Sequence, residues 1–308
     1  MDAVAVILEA PERLALRSLA LTPMGSGDLR VEIDWSGISS GTEKLLWSGR
    51  MPNFPGMGYP LVPGYESIGR IVDAGAEVRG RVGEWVFIPG ANCYEGARGL
   101  FGGTARHAIL PAMRAIPIDE SLGRDGILVA LAATAHHAIA VGGVPELVIG
   151  HGILGRLIAR IALATGGGAP TVWETNPARR DRCDYPVIDP AADDRRDYAS
   201  ICDASGAADV LDLAFARLKK GGEVVLAGFY DRLAFAFPPA FMREARIRIA
   251  AEFTPADVAA VLELVDIGLL QLDGLISHVR PAATAVDAYA QAFTDPDCLK
   301  MVLDWRAI

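Results

Sequence analysis

The stretch Leu147-Val148-Ile149-Gly150-His151-Gly152-Ile153-Leu154-Gly155 constrains this chain most. Three successive apolar residues running into glycines read as a buried strand that ends in a turn. Glycines at 150, 152 and 155 fit G-x-G-x-x-G. Leu154, Leu157, Ile158 and Ile161 then recur at helical spacing up to the stop at Gly166-Gly167-Gly168. In such a unit the first glycine permits the turn, the second lets backbone approach a pyrophosphate, and the third lets the helix sit close on its strand. Free N–H groups at the helix start, around Ile153 and Leu154, then face the phosphates. A second strand, Thr171-Val172-Trp173, ends in Glu174, about 20 residues on, where a carboxylate takes the ribose hydroxyls. The pattern predicts dinucleotide binding, and Glu174 favours NAD over NADP because it would repel a 2′-phosphate. His151, inside the loop, reads first as an outward, solvated side chain and second as a phosphate contact. Arg179, Arg180 and Arg182 could instead read a 2′-phosphate or form a solvated charged face.

Composition narrows the rest. The 308 residues suggest about two domains, and 51% hydrophobic with 22% charged residues gives a sizeable core. A net charge of -9 argues against nucleic acid as the main partner, since phosphate binding needs clustered Lys and Arg. Cys93, Cys183, Cys202 and Cys298 are scattered without a C-x-x-C pair, which points to a reducing, cytoplasmic setting. The acidic start, Met1 to Glu9, reads as a strand rather than a signal peptide. The apolar run from Gly126 to Val144 carries His136, His137, Gly142 and Gly143, and so reads as a buried helix and loop rather than a bilayer span.

Along the chain, Val4–Leu8, Leu29–Ile33, Ser67–Val72 and Glu84–Ile88 read as strands between turn residues, a β-rich unit up to about residue 118. Its long loop, Gly37 to Tyr65, has the length of a functional segment. From Asp119 strands and helices alternate through 171–173, 187–188, 198–202, 210–218, 223–227 and 247–249, which predicts a parallel, doubly wound sheet. The expected boundaries are 1–118, 119–252 and 253–308, the last segment beginning with a helix over Asp257–Val265.

Several segments together resemble the medium-chain dehydrogenase/reductase family over essentially the whole chain. Ser36-Gly37-Ile38-Ser39-Ser40-Gly41-Thr42-Glu43 is similar to its first catalytic loop. Pro60-Leu61-Val62-Pro63-Gly64-Tyr65-Glu66, followed by Gly69-Arg70-Ile71-Val72, is similar to its second. Thr134-Ala135, Asp203-Ala204-Ser205-Gly206, Leu218–Val225 and Lys300–Asp304 fall at matching places. The resemblance implies a GroES-like β-rich catalytic domain made by both ends of the chain, with a Rossmann NAD-binding domain inserted and the cofactor lying between them. It also places Thr134 near the nicotinamide and Ser205 at the cofactor. Zinc-using members carry Cys, His and Cys where this chain has Ser39, Tyr65 and Ala130, and only Cys93 remains of a structural zinc lobe. The resemblance is therefore to a zinc-lacking member. The combination Ser39-Ser40-Gly41-Thr42-Glu43 with Gly64-Tyr65-Glu66 resembles a branch that oxidises a hydroxyethyl group on a large apolar tetrapyrrole.

The candidate proton-handling residues follow from these loops. Tyr65 fits a proton acceptor, a hydrogen bond to the alcohol oxygen, or a plain aromatic wall; as a base it needs a value well below the usual ~10. Glu43 and Glu66 are candidate bases, with turn capping and backbone support as their plain alternatives. Ser39, Ser40 and Thr42 could relay a proton or simply form turns. His136 and His137 read as packed residues that point to different faces, so that at most one could serve as a base. Leu45, Leu46, Trp47, Met51, Phe54, Met57 and Tyr59 could wall a macrocycle, fill the loop's own small core, or form a homodimer contact, and Arg50 could pair with a ring propionate. Two other functions fit the same sequence: a zinc-free quinone or enoyl reductase, and a nucleotide-binding sensor or pigment carrier without turnover.

Overall fold

A computed structural model describes every residue of the chain except Phe54, Asp181, Arg182 and Asp231. The roles expected of Phe54 and Arg182 thus lie outside the described residues. In chain order the first strands are β1 (Asp2–Ala10), β2 (Arg13–Ala20) and β3 (Asp28–Ile38), followed by helix α1 (Thr42–Trp47). Then come β4 (Ser67–Ala74), β5 (Trp85–Ile88), β6 (His107–Pro111) and β7 (Ile116–Pro117). The alternating part follows: α2 (Val129–Gly142), β8 (Leu147–Ile149), α3 (Ile153–Ala164), β9 (Thr171–Trp173), β10 (Val187–Ile188), β11 (Tyr198–Asp203) and α4 (Val210–Arg217). It continues with β12 (Leu218–Leu226), α5 (Phe237–Arg243), β13 (Arg246–Ile249) and α6 (Pro255–Asp266), and the chain returns through β14 (His278–Pro281), α7 (Ala285–Thr294) and β15 (Met301–Asp304).

Two compact units result, one of residues 1–130 with 273–308 and one of 131–272. The divisions fall later than the expected 118 and 252. At the first, the 3-10 turns of 120–128, interrupted at Gly123, stay with the β-rich unit, where Gly126 lies against Ile118 and Ile68. At the second, α6 stays with the nucleotide unit because its first turn is tied to α2 through Asp257.

In the first unit β3 is the spine. Leu29, Val31 and Ile33 alternate inward with period two, as a half-buried strand requires. β3 pairs antiparallel with β4 and β6 and, from the far end of the chain, with β15, giving the order β14-β15-β3-β4-β5-β7. Both chain ends therefore build this unit, and β1 and β2 form a separate hairpin. Its core runs from Ala3 to Trp305 and takes in Tyr289 and Phe293 of α7.

The second unit holds a six-stranded sheet ordered β10-β9-β8-β11-β12-β13, in which every pairing is parallel. That order reverses beside β8, which puts the switch point at the glycine-rich turn. The stretch 120–142 is long and apolar enough by composition to cross a membrane, yet 61% of its most apolar window is buried within the protein. The buried-helix reading of this run stands, with the regular α-helix beginning only at Val129.

Candidate active site

The register of β3 with β4 determines which loop residues meet. Ser36 lies opposite Ser67, so residues leaving β3 run beside those entering β4, and the Gly37 N–H donates to the Glu66 carbonyl at 2.8 Å. One step further out, Ser39 Oγ and Tyr65 OH share a hydrogen bond of 2.8 Å. Phe101 stands edge-on to the Tyr65 ring with centroids 5.1 Å apart. The two loops singled out in the sequence thus converge on one hydroxyl pair.

Two buried carboxyls back this pair. Glu43, in the first turn of α1, is fully buried: Oε1 accepts the Ser39 N–H at 3.1 Å and Oε2 accepts the Tyr289 hydroxyl at 2.5 Å. Burial raises it from an ordinary 4.5 to about 7, although Tyr289 and Ser39 pull the other way. More than a turn cap, it is a buried acid held from both ends of the chain. Glu66 is equally buried and ion-paired with Lys300, whose Nζ also donates to the Ile38 carbonyl at 3.1 Å. Burial raises the Glu66 carboxyl and the ammonium opposes the rise. A side chain at Gly37 would collide with this pair, since its Cβ would lie 2.2 Å from Glu66 Oε2.

Tyr65 shows the opposite of what a standing base needs. Burial and the charge of Glu66 push its phenol upward, and hydrogen bonds with Ser39 and Thr42 offset only part of this. At neutral pH the phenol keeps its proton, so the proton-acceptor role as a free phenolate is set aside in favour of hydrogen bonding. Ser40 is exposed and stands apart from the pair. The apolar loop favours one of its three readings. Leu46 and Met51 are buried, and Leu45, Trp47, Met57 and Tyr59 pack around them with Leu8, Leu61 and Leu100. This supports the reading that the set fills the loop's own small core, because a short helix and its return need apolar cover of their own.

In the nucleotide unit the expected glycine-rich turn is formed. Gly150 takes a φ of 97°, the left-handed region where a side chain is strained, and a Cβ on Gly155 would lie 1.9 Å from the Gly150 carbonyl oxygen. α3 starts at Ile153 with no side-chain cap on its first N–H groups, which fits an anionic pyrophosphate. Glu174 leaves the end of β9 with Oε2 accepting the His151 N–H at 3.2 Å and Oε1 accepting the Asn176 N–H at 2.8 Å. Its carboxylate is therefore fixed at the rim of the loop, with lone pairs left for ribose hydroxyls. Ser205 packs on Gly150 and donates its hydroxyl to the buried Asp203 at 2.6 Å. Thr134 is half-buried on α2.

Of the histidine expectations, the outward placement of His151 and the divergence of His136 and His137 fail, while the packed reading of the latter two holds. His151 is fully buried and neither solvated nor turned to a phosphate: Nδ1 donates to the Arg179 carbonyl at 2.6 Å, and Nε2 meets the Tyr185 hydroxyl at 3.0 Å. Inward rotation lets the imidazole pin the loop, helped by the buried Arg156, whose Nε donates to the His151 carbonyl at 3.2 Å. His136 and His137 do not diverge. Their Nδ1 atoms take the two oxygens of one carboxylate, Asp257, at 2.8 and 3.0 Å. Burial would raise Asp257, but bonds from Thr254 and both histidines hold it at about 2. The pair joins α2 to the capped start of α6 and offers no free base. Arg180 pairs with Asp189 at 3.3 Å. The sequence reading missed Lys300, Tyr289, Arg156 and Tyr185. The only signal for Lys300 was a lone cation at the start of an apolar strand.

The family profile named "Alcohol dehydrogenase GroES-like domain" matches residues 25–120. The chain is 56% identical over 99% of both sequences to 2-desacetyl-2-hydroxyethyl bacteriochlorophyllide A dehydrogenase of Rhodobacter capsulatus. It is 54% identical, over 100% of its own length and 99% of the other's, to the protein of that name from Cereibacter sphaeroides. The chain belongs to the medium-chain dehydrogenase/reductase family. Its fold is shared with an alcohol dehydrogenase of Escherichia coli solved with NADH, at a TM-score of 0.85 and 20% identity over 99% of each chain. As a member of this nicotinamide-dependent family it uses such a cofactor, and the residues around Gly150 and Glu174 fit one.

Two outcomes are expected. The folded protein holds a proton on Glu43 that the unfolded chain releases above 4.5, so this contribution to stability is full below that value and is lost as pH rises towards 7. Across that window wild type should lose roughly 3 kcal/mol relative to Glu43→Gln, read from urea unfolding at a series of pH values; a flat difference contradicts the buried acid. For the cofactor, kcat/KM with NAD should exceed that with NADP by about tenfold or more, and Glu174→Ala should narrow the ratio. A preference for NADP would show that the arginines after β9 dominate.

Proposed function

We propose that this protein oxidises the 1-hydroxyethyl side chain of a bacteriochlorophyllide to an acetyl group, with NAD as hydride acceptor, in bacteriochlorophyll synthesis. The observation that carries this reading is 56% identity across 99% of a relative with that named activity. It is an oxidoreductase acting on a CH–OH group. When bound, NAD takes the hydride from the carbinol carbon; the hydroxyl proton must leave as the C=O bond forms. The second task falls to the side chains of the β-rich unit.

The Ser39–Tyr65 pair supports a division of labour. Tyr65, which keeps its proton, donates to the substrate oxygen as it gains charge, and the hydroxyls of Ser39 and Thr42 hold the phenol in place. Glu43 lies against the Ser39 backbone, and its value of about 7 suits proton uptake near neutrality. Glu66 is committed to Lys300 and serves to hold the loops. Zinc binding asks for three or four nitrogen or sulfur donors. Ser39 and Tyr65 offer hydroxyls already bonded to one another and Ala130 offers none, so this donor set does not fit the ion. Among the described residues no group of three His, Cys, Asp or Glu side chains could hold one.

With a hydroxyethyl bacteriochlorin and NAD, nicotinamide reduction should accompany a red shift of the macrocycle band, unaffected by a metal chelator. Turnover of simple secondary alcohols without the macrocycle would overturn the substrate, and loss of activity on chelation would overturn the metal-free chemistry. Tyr65→Phe should lower kcat by roughly 10- to 100-fold with little change in KM, since one hydrogen bond to the reacting oxygen is removed. Full activity in that variant would move the role elsewhere.

A further inference from the structure

The segment before Phe101 carries a cation that the reaction itself does not need. Arg98 is tied by its backbone to the strand leading to Tyr65: its N–H donates to the Pro60 carbonyl at 2.9 Å, and its carbonyl accepts the Val62 N–H at 2.8 Å. Gly102 then donates back to the Val62 carbonyl at 2.9 Å, so residues 99–101 stand out as a bulge pinned at one residue. From this bulge Phe101 packs on Tyr65 and Leu100 joins Met57 and Tyr59 on the loop core. The Arg98 side chain lies across Gly58, where an added Cβ would fall 2.7 Å from Nε. Its guanidinium is exposed and makes no hydrogen bond or ion pair among the described residues. An unpaired guanidinium therefore stands at the base of the bulge whose Phe101 packs on the Tyr65 ring. Arg50, the cation singled out from sequence, instead turns back on its own loop, with Nε on Ser48 Oγ at 3.2 Å.

We propose that Arg98 binds the free propionate carboxylate of the macrocycle and so makes the enzyme select the acid over its esters. The inference rests on the tetrapyrrole reading above. A bacteriochlorophyllide is broad, apolar and carries one free carboxylate remote from the reacting side chain. A planar guanidinium meets such a group through two parallel N–H···O bonds, which an ester cannot reciprocate as an anion.

The test compares a hydroxyethyl bacteriochlorophyllide with its propionate methyl ester, in wild type, Arg98→Ala, Arg98→Lys and Arg50→Ala. Wild type should prefer the acid in kcat/KM by about 10- to 100-fold, mostly through KM, and Arg98→Ala should collapse that ratio towards one. Arg98→Lys should restore part of it, and Arg50→Ala should leave it in place. Equal turnover of acid and ester by wild type overturns the anchor while the functional reading survives. So does a ratio that falls with Arg50 rather than Arg98. Failure of wild type to oxidise either macrocycle overturns the functional reading and the anchor together.

Discussion

The catalytic unit depends on one buried ion pair. Lys300 and Glu66 are almost wholly removed from water, and the ammonium also holds the Ile38 carbonyl. One group thus joins the approach to β15, the end of β3 and the entry to β4. Losing a single partner of such a pair typically costs about 3–5 kcal/mol, because an uncompensated charge is left inside. Ser39 follows Ile38 and Tyr65 precedes Glu66, so the hydroxyl pair sits on the two backbone segments this contact locks. The absence of a side chain at Gly37 is what makes room for it.

Four acidic residues show how far environment separates identical chemistry. Glu43, given two hydrogen bonds but no cation of its own, is raised to about 7. Glu66 is raised by burial against the pull of Lys300. Asp257, bonded by Thr254 and two histidines, is held at about 2. Glu174 is bound by backbone N–H groups at the end of a strand and keeps acceptor capacity to spare. The first is lifted into the near-neutral range that proton transfer favours, and the last lies beside the glycine-rich turn.

Local pattern was enough for much of this. The turn at Gly150, the strands over 147–149, 171–173 and 187–188, and the parallel sheet all follow from residues close in sequence. The meeting of Ser39 with Tyr65 needed the register of β3 with β4 as well. What could not be read depends on partners far along the chain. Tyr289 reaches Glu43 across 246 positions, and His136 reaches Asp257 across 121. Adjacency gave the histidines different faces, yet both reach the two oxygens of one carboxylate. His151 looked exposed because glycine-rich loops usually are, and it became an internal strut because Tyr185 and the Arg179 carbonyl were waiting for it.

The pairing of β15 with β3 also sets an order of assembly. Lys300 and the Ile38 carbonyl that it holds are 262 positions apart, and the whole parallel sheet lies between them. During synthesis the inserted unit emerges complete while the spine strand of the first still lacks a neighbour. Translation at about 5–20 residues per second leaves that edge open for many seconds. Until the final strand docks, Glu66 has no cation, and the loops bearing Ser39 and Tyr65 have nothing to fix them. The nascent protein can therefore own a finished nucleotide fold well before it owns a catalytic centre.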